Sequence, residues 1–229
     1  MKIDINDWYL VEQPIWQFTK HGPLLKKKLL FHELLLRSAK TQRFPAKEFT
    51  LLTQSATGNK LIFDWLTTQI TNLLANNSAK IISINIDPLQ VVDKNFIPFL
   101  NVIKPYHPQI LIELTERVTQ QMDTNDVQII LDNISQAGFK ILLDDIDMVH
   151  DTINLAKLLR YVVGLKLSAD LVDNTTYPKI NKLLRFLKNY NQCFLIGEGT
   201  STAEIFYLYL NHGVLAQQGW HLDKEKNRK

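Results

Sequence analysis

Polar residues of a few types recur at the ends of short apolar runs in this chain of 229 residues. Asn85 follows Ile81-Ile82-Ser83-Ile84, Glu113 follows Ile110-Leu111-Ile112, and Asp144-Asp145 follows Ile141-Leu142-Leu143. Lys166 follows Val163-Gly164-Leu165, Glu198 follows Phe194-Leu195-Ile196-Gly197, and Gln218 closes the last apolar run. Any one of these reads equally well as a turn former or helix cap. Together they put several carboxylates in one place, where they would repel one another and stay partly protonated unless a cation compensated them. No histidine or cysteine cluster stands beside them, so the ligand set is all oxygen, which favours Mg²⁺ or Mn²⁺ over zinc. The six histidines show no metal-ligand spacing, and most are expected to face solvent.

The elements that must position these groups follow from the apolar pattern. Eight short, β-branched runs read as buried strands: Leu10-Val11 with Ile15-Trp16, Leu29 to Leu36, Lys80 to Ile86, Ile110 to Leu114, Lys140 to Leu143, Val162 to Leu167, Cys193 to Ile196, and Val214 to Ala216. Between them lie segments with helical spacing, such as Leu61, Ile62, Trp65, Leu66, Leu73 and Leu74. Ser201 with Glu204 three residues on makes a capping box ahead of Ile205 to Leu210. Gly138 and Gly213 read as helix C-caps that lead into the next strand. Such alternation implies parallel strands with crossover helices, hence a (β/α)₈ TIM-like barrel, with a doubly wound open sheet as the alternative. In a barrel the carboxyl ends of the strands form one rim, so the residues named above converge on one cup.

Composition bounds the remaining choices. The chain is 45% hydrophobic and 21% charged, with a formal charge of +3, too small to argue for binding a nucleic-acid polymer or an anionic membrane. Lys26 to Lys28 and the Lys224 to Lys229 tail read as a solvated turn and a frayed terminus. The lone Cys193, inside an apolar run, reads as a buried strand thiol in a reducing compartment. No secretory signal or membrane-length apolar run is present, so a cytoplasmic location is expected. No linker divides the sequence, which is expected to form a single domain over 1–229 with its core at about 8–222.

Gln13-Pro14-Ile15, Glu33-Leu34-Leu35 with Arg37, Asn85, Glu113-Leu114-Thr115-Glu116, Leu143-Asp144-Asp145, Lys166, Glu198-Gly199 and Gln218-Gly219 occur in the order and spacing of the EAL domain. The chain resembles that family of bacterial cyclic di-GMP phosphodiesterases and their catalytically silent relatives over roughly residues 8–222. The resemblance implies that Glu33, Asn85, Glu113 and Asp144 bind one divalent metal and that Asp144 and Asp145 help hold a second, both Mg²⁺ or Mn²⁺. It further implies that Lys166 orients the attacking water or screens charge, and that Glu198 binds metal or serves as general base. Arg37 would pair with a substrate phosphate, Gln218 would contact substrate, and Glu116 would anchor a loop. Trp220, beside Gln218, could wall a guanine or simply pack at the barrel end. A homodimer or a protein partner is also compatible with the family.

The departures from the pattern are specific. Where the family continues Phe-Gly-Thr-Gly after the paired aspartates, this chain has Ile146-Asp147-Met148-Val149, which removes both glycines and their φ > 0 options. The family's aspartate two residues after the strand-six lysine is Ser168 here, which carries no charge. Two functions therefore compete: hydrolysis of cyclic di-GMP to linear pGpG, and binding without turnover as a receptor or adaptor. The segment Thr41 to Asn59 lacks strand character and is expected to cover the rim or meet a partner.

Overall fold

The computed structural model describes residues 3–21, 24–115, 124–146, 158–169, 171, 181, 183–185 and 193–223. Eight strands close into a barrel in chain order: β1 (Trp8–His21), β2 (Leu24–Ser38), β3 (Ile82–Ile86), β4 (Ile110–Thr115), β5 (Lys140–Ile146), β6 (Val162–Leu167), β7 (Phe194–Gly197) and β8 (Ala216–Gln217). The described helices are α1 (Ala46–Thr53), α2 (Ala56–Leu74), α3 (Pro88–Val91), α4 (Phe96–Ile103), α5 (Thr124–Gln136), α6 (Ala203–Asn211) and α7 (Trp220–Asp223), with a 3₁₀ turn at Lys104–Gln109. No helix among the described residues is long and apolar enough to cross a membrane.

Every expected strand is present, but the expected parallel alternation fails at the first. β1 runs antiparallel to β8, with Trp16 opposite Gln217 and Gln17 opposite Ala216. A parallel neighbour needs a crossover of a dozen or more residues, and β2 begins at Leu24 directly after β1 ends at His21. The pairings β2–β3, β3–β4, β5–β6, β6–β7 and β7–β8 are parallel.

The lysines at 26–28 also depart from expectation, since they lie within β2 rather than in a turn. Lys27 is half-buried; its ammonium donates to the Leu222 carbonyl at 2.7 Å and sits 4.0 Å above the Trp16 ring. Cys193 precedes β7 and is only partly buried; burial still pushes its thiol above the ordinary range. His32, His107, His212 and His221 are half-buried rather than solvent-facing. His212 shows why: its ring nitrogens contact the Leu208 carbonyl at 2.8 Å and Asn181 Oδ1 at 3.0 Å.

The chain divides into two compact units, Met1–Gln13 with His32–Lys140, and Pro14–Phe31 with Ile141–Lys229. In the first, α2 buries Ile62, Phe63, Leu66, Ile70 and Leu74, which helical spacing brings to one face. Ser55 caps this helix by accepting from the Gly58 N–H at 3.1 Å. Phe63 stacks on Phe99 of α4 at 4.6 Å, while Trp8 meets Trp65 edge-on at 5.9 Å. Gly138 ends α5 at φ 94°, a left-handed conformation that suits glycine. In the second unit, Phe18, Phe206, Leu210 and Leu222 form a core cluster. The cap of α6 lies one residue later than expected: Thr202, in extended conformation, accepts from the Ile205 N–H at 3.3 Å. Gly213 closes that helix at φ 80°.

Candidate functional site

In the first unit, the parallel register sets Glu33 beside Ser83 and Asn85 beside Glu113. Alternation along a strand then puts Asn85 on the same side as Ser83. Glu33 and Glu113 are 5% and 1% exposed, and each offers a carboxylate oxygen within 4.8 Å of the other. Asn85 Nδ2 donates to Glu33 Oε1 at 2.8 Å. Two ionised carboxylates at that spacing repel by on the order of 3 kcal/mol at an effective dielectric of ~20. Such a pair favours a nearby cation, and two carboxylates with an amide oxygen are the donors that Mg²⁺ and Mn²⁺ prefer. These residues therefore fit a hard divalent ion.

A cavity of about 460 Å³ opens beside them, lined by Glu33, Arg37, Asn85, Asp87 and Thr115 together with Phe44, Phe49 and Trp65. The buried hydroxyl of Thr115 has no hydrogen-bond partner among the described residues. Arg37 Nη1 donates to the Leu36 carbonyl at 2.8 Å. The segment Thr41 to Asn59, expected at the rim, supplies Phe44 and Phe49 from the approach to α1 and from α1 itself. Sequence reading missed both rings as cavity walls, because nothing local shows which way a short helix after a strand will turn.

In the second unit, Lys166 is the centre of the charge arrangement. It is 1% exposed, and its Nζ lies 3.2 Å from Asp144 Oδ1 and 2.9 Å from Glu198 Oε1. Asp144, Asp145 and Glu198 each place an oxygen within 4.8 Å of the other two. Asp145 adopts φ 58°, unusual for a residue with a Cβ, and its N–H donates to Asp144 Oδ1 at 3.0 Å. Ser168 is buried, with its N–H on the Ile146 carbonyl at 3.1 Å.

Glu198 and Gln218 lie just past the ends of their strands rather than within them, and backbone hydrogen bonds hold both. The Glu198 N–H donates to the Leu167 carbonyl at 3.2 Å, and its carbonyl accepts from the Tyr209 hydroxyl at 2.9 Å. Gln218 donates its N–H to the Gly197 carbonyl and accepts from the Thr200 N–H, at 2.9 and 3.0 Å. Its side chain is buried, whereas Trp220 two residues on is 78% exposed. Tyr209 and Gln217, both fully buried, support this end of the unit and were not legible as site residues. Gln217 accepts from the Thr200 hydroxyl at 3.1 Å and donates to the Phe206 carbonyl at 3.2 Å. Of the remaining candidates, Glu116 and residues 147–149 of the divergent loop lie outside the described residues.

A family model, EAL domain, matches residues 13–225. A search of curated proteins by sequence found no match. Among solved structures, the chain is similar to the PaMucR phosphodiesterase in complex with c-di-GMP, at 18% identity and TM-score 0.70, covering 93% of this chain and 89% of that one. It is similar to the FimX EAL domain from Pseudomonas aeruginosa bound to c-di-GMP, at 15% identity and TM-score 0.72, covering 93% and 88%. It is also similar to Klebsiella pneumoniae BlrP1 in a manganese and cyclic di-GMP complex, at 18% identity and TM-score 0.68. There the match covers 95% of this chain but 59% of that one. At these identities the likeness establishes the fold.

Proposed function

The chain belongs to the EAL domain family, and from that premise we propose that it is a metal-dependent phosphodiesterase hydrolysing cyclic di-GMP to linear pGpG. The observation that carries the reading is the retained oxygen set, with buried Glu33 and Glu113 within 4.8 Å and Asn85 hydrogen-bonded to Glu33. Glu33, Asn85, Glu113 and Asp144 would hold one Mg²⁺ or Mn²⁺. A divalent ion so held supplies positive charge to an anionic phosphodiester and lowers the pKa of a bound water.

The chain's own groups do the rest. Arg37, at the cavity, pairs its planar guanidinium with a substrate phosphate. Glu198 takes a proton from the attacking water, and Lys166, 2.9 Å away, fixes that carboxylate and screens developing charge. Asp145 with Asp144 is where the family would hold a further cation. Gln218 contacts substrate, and Glu116 anchors the loop after β4. The chain would act in the cytoplasm as one barrel domain on cyclic di-GMP, as a homodimer or with a protein partner, with control coming from expression level or from that partner.

A second reading, cyclic di-GMP binding without turnover, is favoured by one observation: Ser168 stands where the family has an aspartate. Calorimetric titration of cyclic di-GMP in Ca²⁺ tests the binding shared by both readings. Wild-type protein binds, and Arg37→Ala binds at least about tenfold more weakly, since a charge-assisted hydrogen bond contributes ~1.5–3 kcal/mol. No heat of binding to the folded wild-type chain would rule out both readings.

A further inference from the structure

Residues 14–31, all in the second unit, carry a charge that the whole-chain total conceals. From Pro14 to Phe31 there are four lysines, Lys20, Lys26, Lys27 and Lys28, and no aspartate or glutamate, while the formal charge of the entire chain is +3. The positive excess of the protein therefore sits in this one segment. β1 ends at His21 and β2 begins at Leu24, and the two are hydrogen-bonded neighbours, so the segment is a hairpin. β1 meets β8 from Trp16 to Phe18, whose N–H donates to the Leu215 carbonyl at 2.8 Å, and β2 pairs with β3 only from His32 onward. Lys20 and the stretch from Leu24 to Leu29 lie past those pairings, toward the turn.

The side chains there suit neither water alone nor a protein core. Leu24, Leu25 and Leu29 are 67%, 40% and 38% exposed. Lys20, Lys26 and Lys28 are exposed as well, and among the described residues none of the three makes an ion pair. Lys27 differs, because the Leu222 carbonyl and the Trp16 ring hold its ammonium.

Exposed leucines among uncompensated lysines match an anionic bilayer. There leucines enter the acyl boundary, while lysines on flexible apolar stems keep their ammonium groups at the phosphates. A nucleic acid would use the lysines alone. The segment has no arginine to read a base edge, and Phe18 and Phe31 are buried, out of reach of stacking bases.

We propose that the β1–β2 hairpin docks this protein on an anionic lipid surface, with Leu24 and Leu25 inserted and Lys20, Lys26 and Lys28 against the headgroups. Attachment of this kind is peripheral and reversible, since a few lysines and leucines fall well short of a spanning helix. It stands independently of the phosphodiesterase reading.

Flotation of the purified full chain with vesicles of equal parts phosphatidylglycerol and phosphatidylcholine tests this, against vesicles of phosphatidylcholine alone. The wild type floats with the first and not with the second, and raising salt from ~0.05 to ~0.5 M weakens its partitioning several-fold. Lys26→Gln combined with Lys28→Gln lowers partitioning at least about tenfold. Leu24→Ser combined with Leu25→Ser lowers it by a similar factor. The same charge removed at exposed positions elsewhere, in Lys47→Gln combined with Lys94→Gln, changes it little. All of these positions are exposed, and circular dichroism checks that each variant is folded. No flotation of the folded wild type, or an equal loss in the two lysine pairs, would overturn the proposal. Wild-type partitioning in the leucine pair would overturn insertion, and retention on duplex DNA without flotation would assign the hairpin to nucleic acid instead.

Discussion

Asn59 and Asp93 show how a single buried side chain ties α2 to α1 and to the segment between α3 and α4. Asn59, 1% exposed in α2, donates to the Thr53 carbonyl and to Asp93 Oδ2, each at 3.1 Å. Asp93 also receives the N–H and side-chain amide of Asn95, at 2.8 and 2.7 Å. Burial acts to raise the Asp93 pKa, but these hydrogen bonds from Asn95 and Asn59 outweigh it and hold the carboxyl below its ordinary range. The folded state thus favours the ionised form. Its contribution is present above the unfolded aspartate range, near pH ~4, and is lost as pH falls through the lower folded value. Asn59→Ala should cost about 1–3 kcal/mol in urea denaturation, and its stability should fall less steeply than the wild type's below pH ~4. An unchanged acid slope would remove Asn59 from this role. At this scale the polar residues ending apolar runs were legible, because position along a strand is written in the sequence. Tyr209 and Gln217 were not, because their value lies in reaching Glu198 and Thr200 on neighbouring segments.

Glycines at the ends of elements separate conformational cost from steric cost. A Cβ on Gly213 meets nothing within 4 Å, so only its φ of +80° resists substitution. Gly213→Ala should cost about 1 kcal/mol. At Gly219, φ is +154° and a Cβ would stand 2.3 Å from the Thr200 carbonyl oxygen, which is backbone and cannot swing away. Gly219→Ala should lower the thermal midpoint several-fold more than Gly213→Ala, since the turn that fixes Gln218 must shift. Equal losses in the two variants would contradict this account. The C-caps at Gly138 and Gly213 were legible from residue type and position. The α6 cap was displaced by one because Ser201 and Thr202 are both hydroxyl residues and only backbone conformation selects between them. Strand direction at β1 was missed because apolar runs carry no polarity. The signal available was Gly22-Pro23 between two apolar runs, a turn dipeptide too short to hide a crossover helix.

At the scale of the whole molecule, alternation of eight apolar runs with helical segments pointed to a barrel, with a doubly wound open sheet as the alternative, and the sheet is a closed barrel. Its division into two compact units left no trace in composition, because the boundaries at Gln13/Pro14 and Phe31/His32 fall inside β1 and β2. Ion binding should couple to the stability of the entire fold, since a ligand that binds only the native state adds ~2.7 kcal/mol at a hundred times its dissociation constant. Mn²⁺ should therefore raise the wild-type thermal midpoint, and Glu33→Ala should lose most of that rise while remaining folded without the ion. A rise of equal size in Glu33→Ala would place the ion elsewhere. Chemistry is the most direct test. Purified protein incubated with cyclic di-GMP and Mn²⁺ should release linear pGpG, and chelation of the ion should stop it. Cyclic di-GMP recovered intact from a folded, Mn²⁺-loaded protein would contradict the phosphodiesterase assignment.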